Sequence, residues 1–215
     1  MADEPIHEDP RQQRPTGSGL GEMEGRISRF AELIEHPIPL MFIDSPLPHH
    51  QRLNYAVIGD TASENPNFSP MITTPHGFQI GMVKAEPGCG PAYHTHDYIE
   101  CFVPLTNHKW RFYWGPEEDT VTHEATIEKW DLISLPPKLW RGFEVAEGED
   151  GPAWLFAVLE PHDVFAFKDP YWSPYVVKAA ERQGYVADEA GKMVKTPDDA
   201  AALEQEILKR IGSSR

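Results

Sequence analysis

The sequence predicts an all-β domain, a sandwich or a barrel, with helical extensions at both ends. Short apolar or aromatic runs of strand length recur through the middle of the chain and are separated by Pro, Gly, Asn and Asp. The 16 Gly and 21 Pro among 215 residues are typical of a fold with many turns. Towards the two ends, apolar residues recur at helical spacing instead.

These changes of texture divide the chain into four regions. The first is polar and charged with little to bury, which predicts disorder. The length of the chain suffices for one domain with a sizeable core plus extensions. The regions are a disordered acidic tail over residues 1–22, a helical N-terminal extension over 23–50, a β-barrel over 51–163 and a helical C-terminal extension over 164–215.

Strands are predicted wherever an apolar run lies between turn residues. The predicted strands are Leu53–Ile58, Phe78–Ala85, Tyr98–Leu105, Trp110–Trp114, Asp131–Leu135 and Trp154–Leu159.

Helices are predicted where apolar spacing coincides with start and stop signals. The spacing of Met23, Ile27 and Phe30 predicts an amphipathic helix over residues 23–35, ended by the proline that follows His36. In the C-terminal region, Ser-Pro and Thr-Pro pairs mark helix starts. They predict helices over Tyr175–Gln183 and Ala200–Ile211.

Charge and composition exclude several classes of function. The formal net charge is −15, which disfavours binding to nucleic acid and to anionic membranes. No apolar run approaches the roughly 20 residues of a membrane span. The N-terminus lacks the layout of a signal peptide, and two cysteines are too few for a disulfide framework. We therefore expect a cytoplasmic protein.

The most informative segment contains two imidazoles and a carboxylate. His94, His96 and Glu100 are separated by even numbers of residues. Because side chains on one face of a strand repeat every two residues, an extended segment would point all three the same way. Two His and one carboxylate with open coordination positions are the ligand set of non-haem Fe(II) oxygenase sites.

This segment resembles the first motif of the cupin family, which combines a glycine, a His-x-His pair, a glutamate and a closing glycine. Gly88 occupies the first glycine position, and Asn107 stands where the closing glycine is usual. Asn is the next most tolerant residue of a positive φ, which we expect there. The resemblance implies a cupin-type jelly-roll barrel over roughly residues 50–160 with one divalent metal ion inside, Fe(II) being favoured and Zn, Mn or Ni possible. It does not imply a reaction, because this fold hosts many.

The second motif of the family departs at its ligand histidine. Asp131, Pro136 and Phe143 align with the motif, but the histidine position is Arg141. A guanidinium stays protonated and has no lone pair for a metal. His123 and His162 are the other candidates for a fourth ligand.

Arg141 has two possible roles. It can bind a substrate anion beside the metal, because its planar fork suits a carboxylate. Alternatively, it can pair with Glu100 and leave a pocket without a metal. Tyr98, Phe102 and Trp140 are expected to line the pocket, and no residue is assigned a catalytic role beyond metal binding.

The sequence thus predicts a metal-dependent cupin enzyme, most readily a dioxygenase-like oxidoreductase acting on a small acidic or phenolic molecule. Two alternatives remain: a Zn- or Mn-dependent isomerase, cyclase or lyase on the same ligands, and a non-catalytic small-molecule-binding protein in which Arg141 pairs with Glu100. Because cupin-like barrels often pair through such extensions, a homodimer is expected.

Overall fold

The structure is a computed structural model that describes residues 23–59, 65, 67, 69–74, 76–160, 170–185 and 200–213. The predicted tail over residues 1–22 and His162 lie outside the described residues. The strands are β1 (Leu53–Ile58), β2 (Gln79–Ala85), β3 (His94–Thr95), β4 (Glu100–Pro104), β5 (His108–Gly115), β6 (His123–Ile127), β7 (Ile133–Leu135), β8 (Trp140–Gly148), β9 (Ala153–Leu159) and β10 (Tyr171–Trp172). The helices are α1 (Phe30–Leu33), α2 (Pro174–Glu181) and α3 (Ala200–Ser213).

The ten strands form two five-stranded sheets, and every strand pair within them is antiparallel. The first sheet has the order β1-β2-β9-β4-β7, and the second has the order β10-β3-β8-β5-β6. Apart from the consecutive pairs β1-β2 and β5-β6, neighbours in each sheet are distant in sequence, as in a jelly roll in which the chain passes repeatedly between two sheets. The prediction of an all-β cupin-type jelly roll is therefore confirmed.

An aromatic core fills the space between the sheets. Phe143 lies at its centre, with ring centroids 4.8 Å from both Phe102 and Phe112. Trp110 and Val145 are fully buried beside it. Alternation of inward and outward residues along β4, β5 and β8 delivers these side chains to one interior.

The predicted N-terminal helix is much shorter than expected. Helix α1 spans four residues rather than residues 23–35. The apolar spacing that predicted it does not correspond to a buried face, because Met23, Ile27 and Phe30 are all exposed while Leu33 is buried. Without such burial a helix of this length has little to stabilise it, and Gly25 lowers its propensity further.

The C-terminal helices agree closely with the sequence. Helix α2 begins at Pro174, and α3 begins at Ala200 as predicted. Leu208 and Ile211 of α3 join Leu33 against the outer face of β1. Helix α3 and Leu33 therefore cover part of the barrel wall.

Several strands were not predicted. Strands β6, β8 and β10 are new, and β10 lies in the region predicted to be helical. The turn before β5 also differs from expectation, because Asn107 is not among the residues with positive φ. Instead its amide Nδ2 donates to Glu149 Oε2 at 3.0 Å, which fixes the turn through a side chain.

Candidate metal centre

The three predicted ligands come from two different sheets. His94 belongs to β3 of the second sheet, Glu100 opens β4 of the first sheet, and His96 lies in the connection between them. All three side chains are buried, and their candidate ligand atoms lie within 4.8 Å of one another. The residue spacing predicted one extended strand, but the segment crosses from one sheet to the other. This crossing makes the three side chains converge.

Both imidazoles are oriented by backbone carbonyl oxygens. His94 Nδ1 lies 2.6 Å from Ala92 O, and His96 Nδ1 lies 3.1 Å from Tyr98 O. A carbonyl can only accept, so in each ring Nδ1–H donates and Nε2 keeps its lone pair. Such contacts orient metal-binding histidines in general. The Tyr98 ring also stacks on the His96 ring at a centroid distance of 3.5 Å.

Burial keeps both histidines neutral. It lowers the pKa of His94 well below the ordinary value, and the charge of Arg141 lowers it further. Burial likewise lowers the pKa of His96 to about 4. Neutral imidazole is the form that binds a metal ion.

Arg141 lies directly at the ligand cluster. It is fully buried on β8, opposite His94 in the strand register. Its Nη2 donates to Glu100 Oε2 at 3.0 Å and contacts both ring nitrogens of His96, while its Nη1 donates to Leu139 O at 3.0 Å. Of the two roles suggested by the sequence, pairing with Glu100 is the one that the structure shows.

This pairing keeps Glu100 ionised inside the barrel. Burial alone would raise the pKa of its carboxyl, but His96 and Arg141 more than offset this and lower the pKa to about 2. Glu100 is therefore a carboxylate at neutral pH, as a metal ligand must be.

His96 and Glu100 place two potential ligand atoms side by side. His96 Nε2 lies 2.9 Å from Glu100 Oε2. The negative charge of the carboxylate favours a cation at these atoms. The Arg141 guanidinium supplies it in this structure, and a divalent ion bound by the same atoms would supply it equally. The donor set therefore fits a divalent metal, with Arg141 as a competing cation.

A cavity of about 90 Å³ adjoins the cluster. His94, His96 and Glu100 line it, together with Tyr98 and Phe102, which were predicted to do so. This space is large enough to hold several water molecules.

Trp140 is not among the residues lining this cavity. It directly precedes the inward-facing Arg141 on β8, so its side chain points to the opposite face of the sheet. There it lies beside Tyr93, with ring centroids 6.0 Å apart. His123, a candidate fourth ligand, is exposed on β6 and stacks on Trp114.

Sequence reasoning missed two polar residues in the cavity wall. Arg52 and Asn54 both line it, and both are buried. The sequence contained an indication of this, because Arg52 and Asn54 are polar residues two positions apart at the start of an otherwise apolar strand. Residues two apart in a strand share a face.

Comparisons with known proteins give similarity at the level of structure alone. The sequence matches no family profile and no curated protein. A cupin 2 conserved barrel domain protein from Rhodopseudomonas palustris matches with a TM-score of 0.43 at 14% identity, over 69% of this chain and 85% of that one. Rru_A2000 of Rhodospirillum rubrum, a cupin-2 domain, matches with a TM-score of 0.43 at 10% identity, over 75% and 83%.

A structure from a study of DMSP lyases also matches, with a TM-score of 0.42 at 12% identity over 57% of this chain. The matched region spans about half of that protein, 53% of its chain. None of the described helices has the length and apolar composition needed to cross a membrane. The topology of its two sheets, with the His-x-His motif at the crossing between them, is that of a jelly-roll barrel, the fold that the resemblance to cupins predicts.

Proposed function

We propose that this chain is a metal-dependent enzyme that uses His94, His96 and Glu100 as its metal ligands. The observation that carries the proposal is the geometry of the donors. Two neutral imidazoles have Nδ1 engaged by backbone carbonyls, and one ring nitrogen of each lies within 4.8 Å of an oxygen of a buried carboxylate. Two imidazoles and a carboxylate whose ligand atoms lie this close together form a donor set suited to a divalent ion.

The favoured reaction class is oxidation by a non-haem Fe(II) dioxygenase-like mechanism. Two His and one carboxylate leave coordination positions open for oxygen and for a substrate atom. When bound, Fe(II) would supply O2 activation and Lewis acidity. Tyr98 and Phe102 would exclude water from the cavity and pack against an apolar part of the substrate.

Arg141 would act as the counter-cation of the site. In the metal-free state it neutralises Glu100 through the 3.0 Å contact. A metal ion that bound to Glu100 and His96 would displace the guanidinium from these atoms, because two cations at the same binding position repel each other strongly. Once displaced, its planar fork could bind an anionic group of the substrate.

A second candidate function is favoured by the same contact. If Arg141 stays on Glu100 permanently, the barrel is a metal-free pocket that binds a small molecule without catalysis. The full burial of Arg141 and its additional bond to Leu139 O favour this arrangement. Zn- or Mn-dependent isomerase, cyclase or lyase chemistry on the same ligands remains the alternative among enzymes.

Metal quantification separates these functions. The protein is purified without a metal-chelating tag and compared with its His96→Ala and Arg141→His variants, and with His123→Ala as a control, since His123 is exposed on β6. We expect about one divalent ion per chain in the wild type and in His123→Ala, none in His96→Ala, and tighter binding in Arg141→His, which gains a ligand.

Oxygen consumption then identifies the reaction class. Consumption by the Fe(II)-loaded wild type, absent from His96→Ala, is expected for the dioxygenase. Metal binding without oxygen consumption would favour the isomerase, cyclase or lyase class. Absence of metal from the wild type under all loading conditions would refute the metal mechanism and leave the binding protein.

A further inference from the structure

The cavity beside the ligand cluster has a second polar wall that no role has yet explained. Arg52 directly precedes β1 and Asn54 lies on it, two residues further along. Residues two apart in a strand share a face, so both side chains lie on the barrel's inner side. Arg52 is 4% exposed and Asn54 is 8% exposed, and both line the same cavity as His94 and Glu100.

Arg52 is held rigidly from one end of its guanidinium. Its Nη1 donates to Asp44 Oδ2 at 2.7 Å and to His50 O at 3.0 Å. Asp44 is itself fixed by the backbone amide of Ala92, at 3.0 Å from the same oxygen. Among the described residues the hydrogen bonds of Arg52 start from Nη1 alone, which leaves Nε and Nη2 as oriented donors for another acceptor.

Asn54 offers a hydrogen-bond acceptor to the cavity, where Arg52 offers donors. Its Oδ1 is buried without a hydrogen-bond partner. Nearly all buried side-chain acceptors in proteins are satisfied, so this atom in the wall of a cavity is available to a partner from a ligand or from a water molecule. That partner must be a donor, because Oδ1 can only accept.

The charge of the metal-loaded site favours an anion. Arg52 pairs with Asp44 and Arg141 pairs with Glu100, so the four charged side chains sum to zero. A divalent ion among them therefore adds positive charge that no described side chain at the site balances. A buried charge without compensation is unfavourable, and an anionic ligand would balance it. This step rests on the metal site proposed above.

We propose that Arg52 and Asn54 form the ligand-recognition wall of the cavity, and that the ligand is a small 2-hydroxy carboxylate. Its carboxylate accepts from the free donors of Arg52, and its hydroxyl donates to Asn54 Oδ1. An amino group in place of the hydroxyl would place a further positive charge near two guanidinium groups. A ligand as small as glycolate fits within the cavity of about 90 Å³.

The test is calorimetric titration of the metal-loaded wild type with glycolate, acetate and glycolamide. Acetate lacks the hydroxyl and glycolamide lacks the charge. We expect both to bind about tenfold more weakly than glycolate, or worse, because acetate leaves Asn54 Oδ1 unpaired and glycolamide offers Arg52 a single acceptor and no charge. Equal binding of all three compounds, or no binding of glycolate at millimolar concentrations, would overturn the proposal.

Two variants locate the binding to the wall. Asn54→Leu keeps the shape of the side chain but removes the acceptor, and Arg52→Lys keeps the charge towards Asp44 but removes the fork. We expect Asn54→Leu to reduce the preference for glycolate over acetate about tenfold while its melting temperature stays at or above the wild-type value. A lowered melting temperature with unchanged preference would show that Asn54 is structural.

Metal quantification on the same samples distinguishes this inference from the proposed function. If the wild type holds no metal, yet binds glycolate more tightly than both variants do, the wall is supported and the metal mechanism fails. If metal is present and the variants bind glycolate as the wild type does, the wall is refuted and the metal site stands.

Discussion

Replacing Arg141 with methionine tests the electrostatics of the site most directly. The substitution removes the guanidinium that donates to Glu100 Oε2 at 3.0 Å, while roughly keeping the length of the side chain. Glu100 would then be a buried carboxylate without its cation. Since breaking one side of a buried pair leaves an uncompensated charge, we expect strong destabilisation of the metal-free protein.

The magnitude follows from the pKa of Glu100. Its pKa is lowered from 4.5 to about 2, although burial by itself would raise it, and His96 shares the lowering with Arg141. The difference corresponds to up to about 3 kcal/mol of stability at neutral pH. For a protein of this size that is roughly 6–12 °C in melting temperature.

The assay is thermal unfolding of the metal-free and metal-loaded forms. Without metal, Arg141→Met should melt up to roughly 12 °C below the wild type, since Arg141 accounts for only part of the lowered pKa of Glu100. Added divalent metal should restore much of this loss, and its affinity should rise at least tenfold because the competing cation is gone.

Arg111→Met is the matched control. Arg111 pairs with Glu124 and Glu144 on the barrel surface, with its side chain 37% exposed, and exposed pairs contribute at most about 1 kcal/mol. Equal melting temperatures of the two variants, with metal affinity unchanged in Arg141→Met, would refute the assignment of Arg141 as counter-cation.

Three further predictions concern the acid range, the core and a close backbone approach. Because the pKa of Glu100 is about 2 in the folded protein, the ionised carboxylate stabilises the fold fully above about pH 4.5, and this stabilisation is lost as the pH falls towards 2. In urea unfolding of the metal-free protein, the stability of Glu100→Gln should therefore change less with pH across that range than the stability of the wild type. Parallel stability curves for the two proteins would contradict the reasoning. Phe143→Ala should lower the free energy of unfolding by about 3–5 kcal/mol in chemical denaturation. Trp130→Ala, at a residue 70% exposed, should change it by no more than about 0.5 kcal/mol. Similar losses of stability in the two variants would show that Phe143 is not at the centre of the core. Gly90→Ala should prevent accumulation of folded protein, because the added Cβ would lie 1.9 Å from Phe143 O. Gly151→Ala is the control, since a Cβ there meets open space and the only cost is an unfavourable φ of +100°. A Gly90→Ala variant as stable as the wild type would show that the backbones at Gly90 and Phe143 are not in tight contact.

Local patterns in the chain were enough to predict most of the barrel. Strand β1 has the predicted bounds, and β2 and β9 differ from prediction by one residue at one end. Alternating or continuous apolar runs between turn residues signal strands without knowledge of their partners. Strands β6 and β10 carry little such signal, being half-exposed or very short, and only their pairing with β5 and β3 defines them.

The sequence by itself determined the candidate site, because the identities and spacing of His94, His96 and Glu100 match a known type of metal-ligand set. Only the tertiary structure decided that these ligands meet at the crossing between two sheets, that Arg141 rests on Glu100, and that Arg52 faces the same cavity. Periodicity along a chain reports which face of one element a residue occupies. The contacts that set the charge of this site join residues about 40 positions apart, and those contacts exist only once the two sheets close around the cavity.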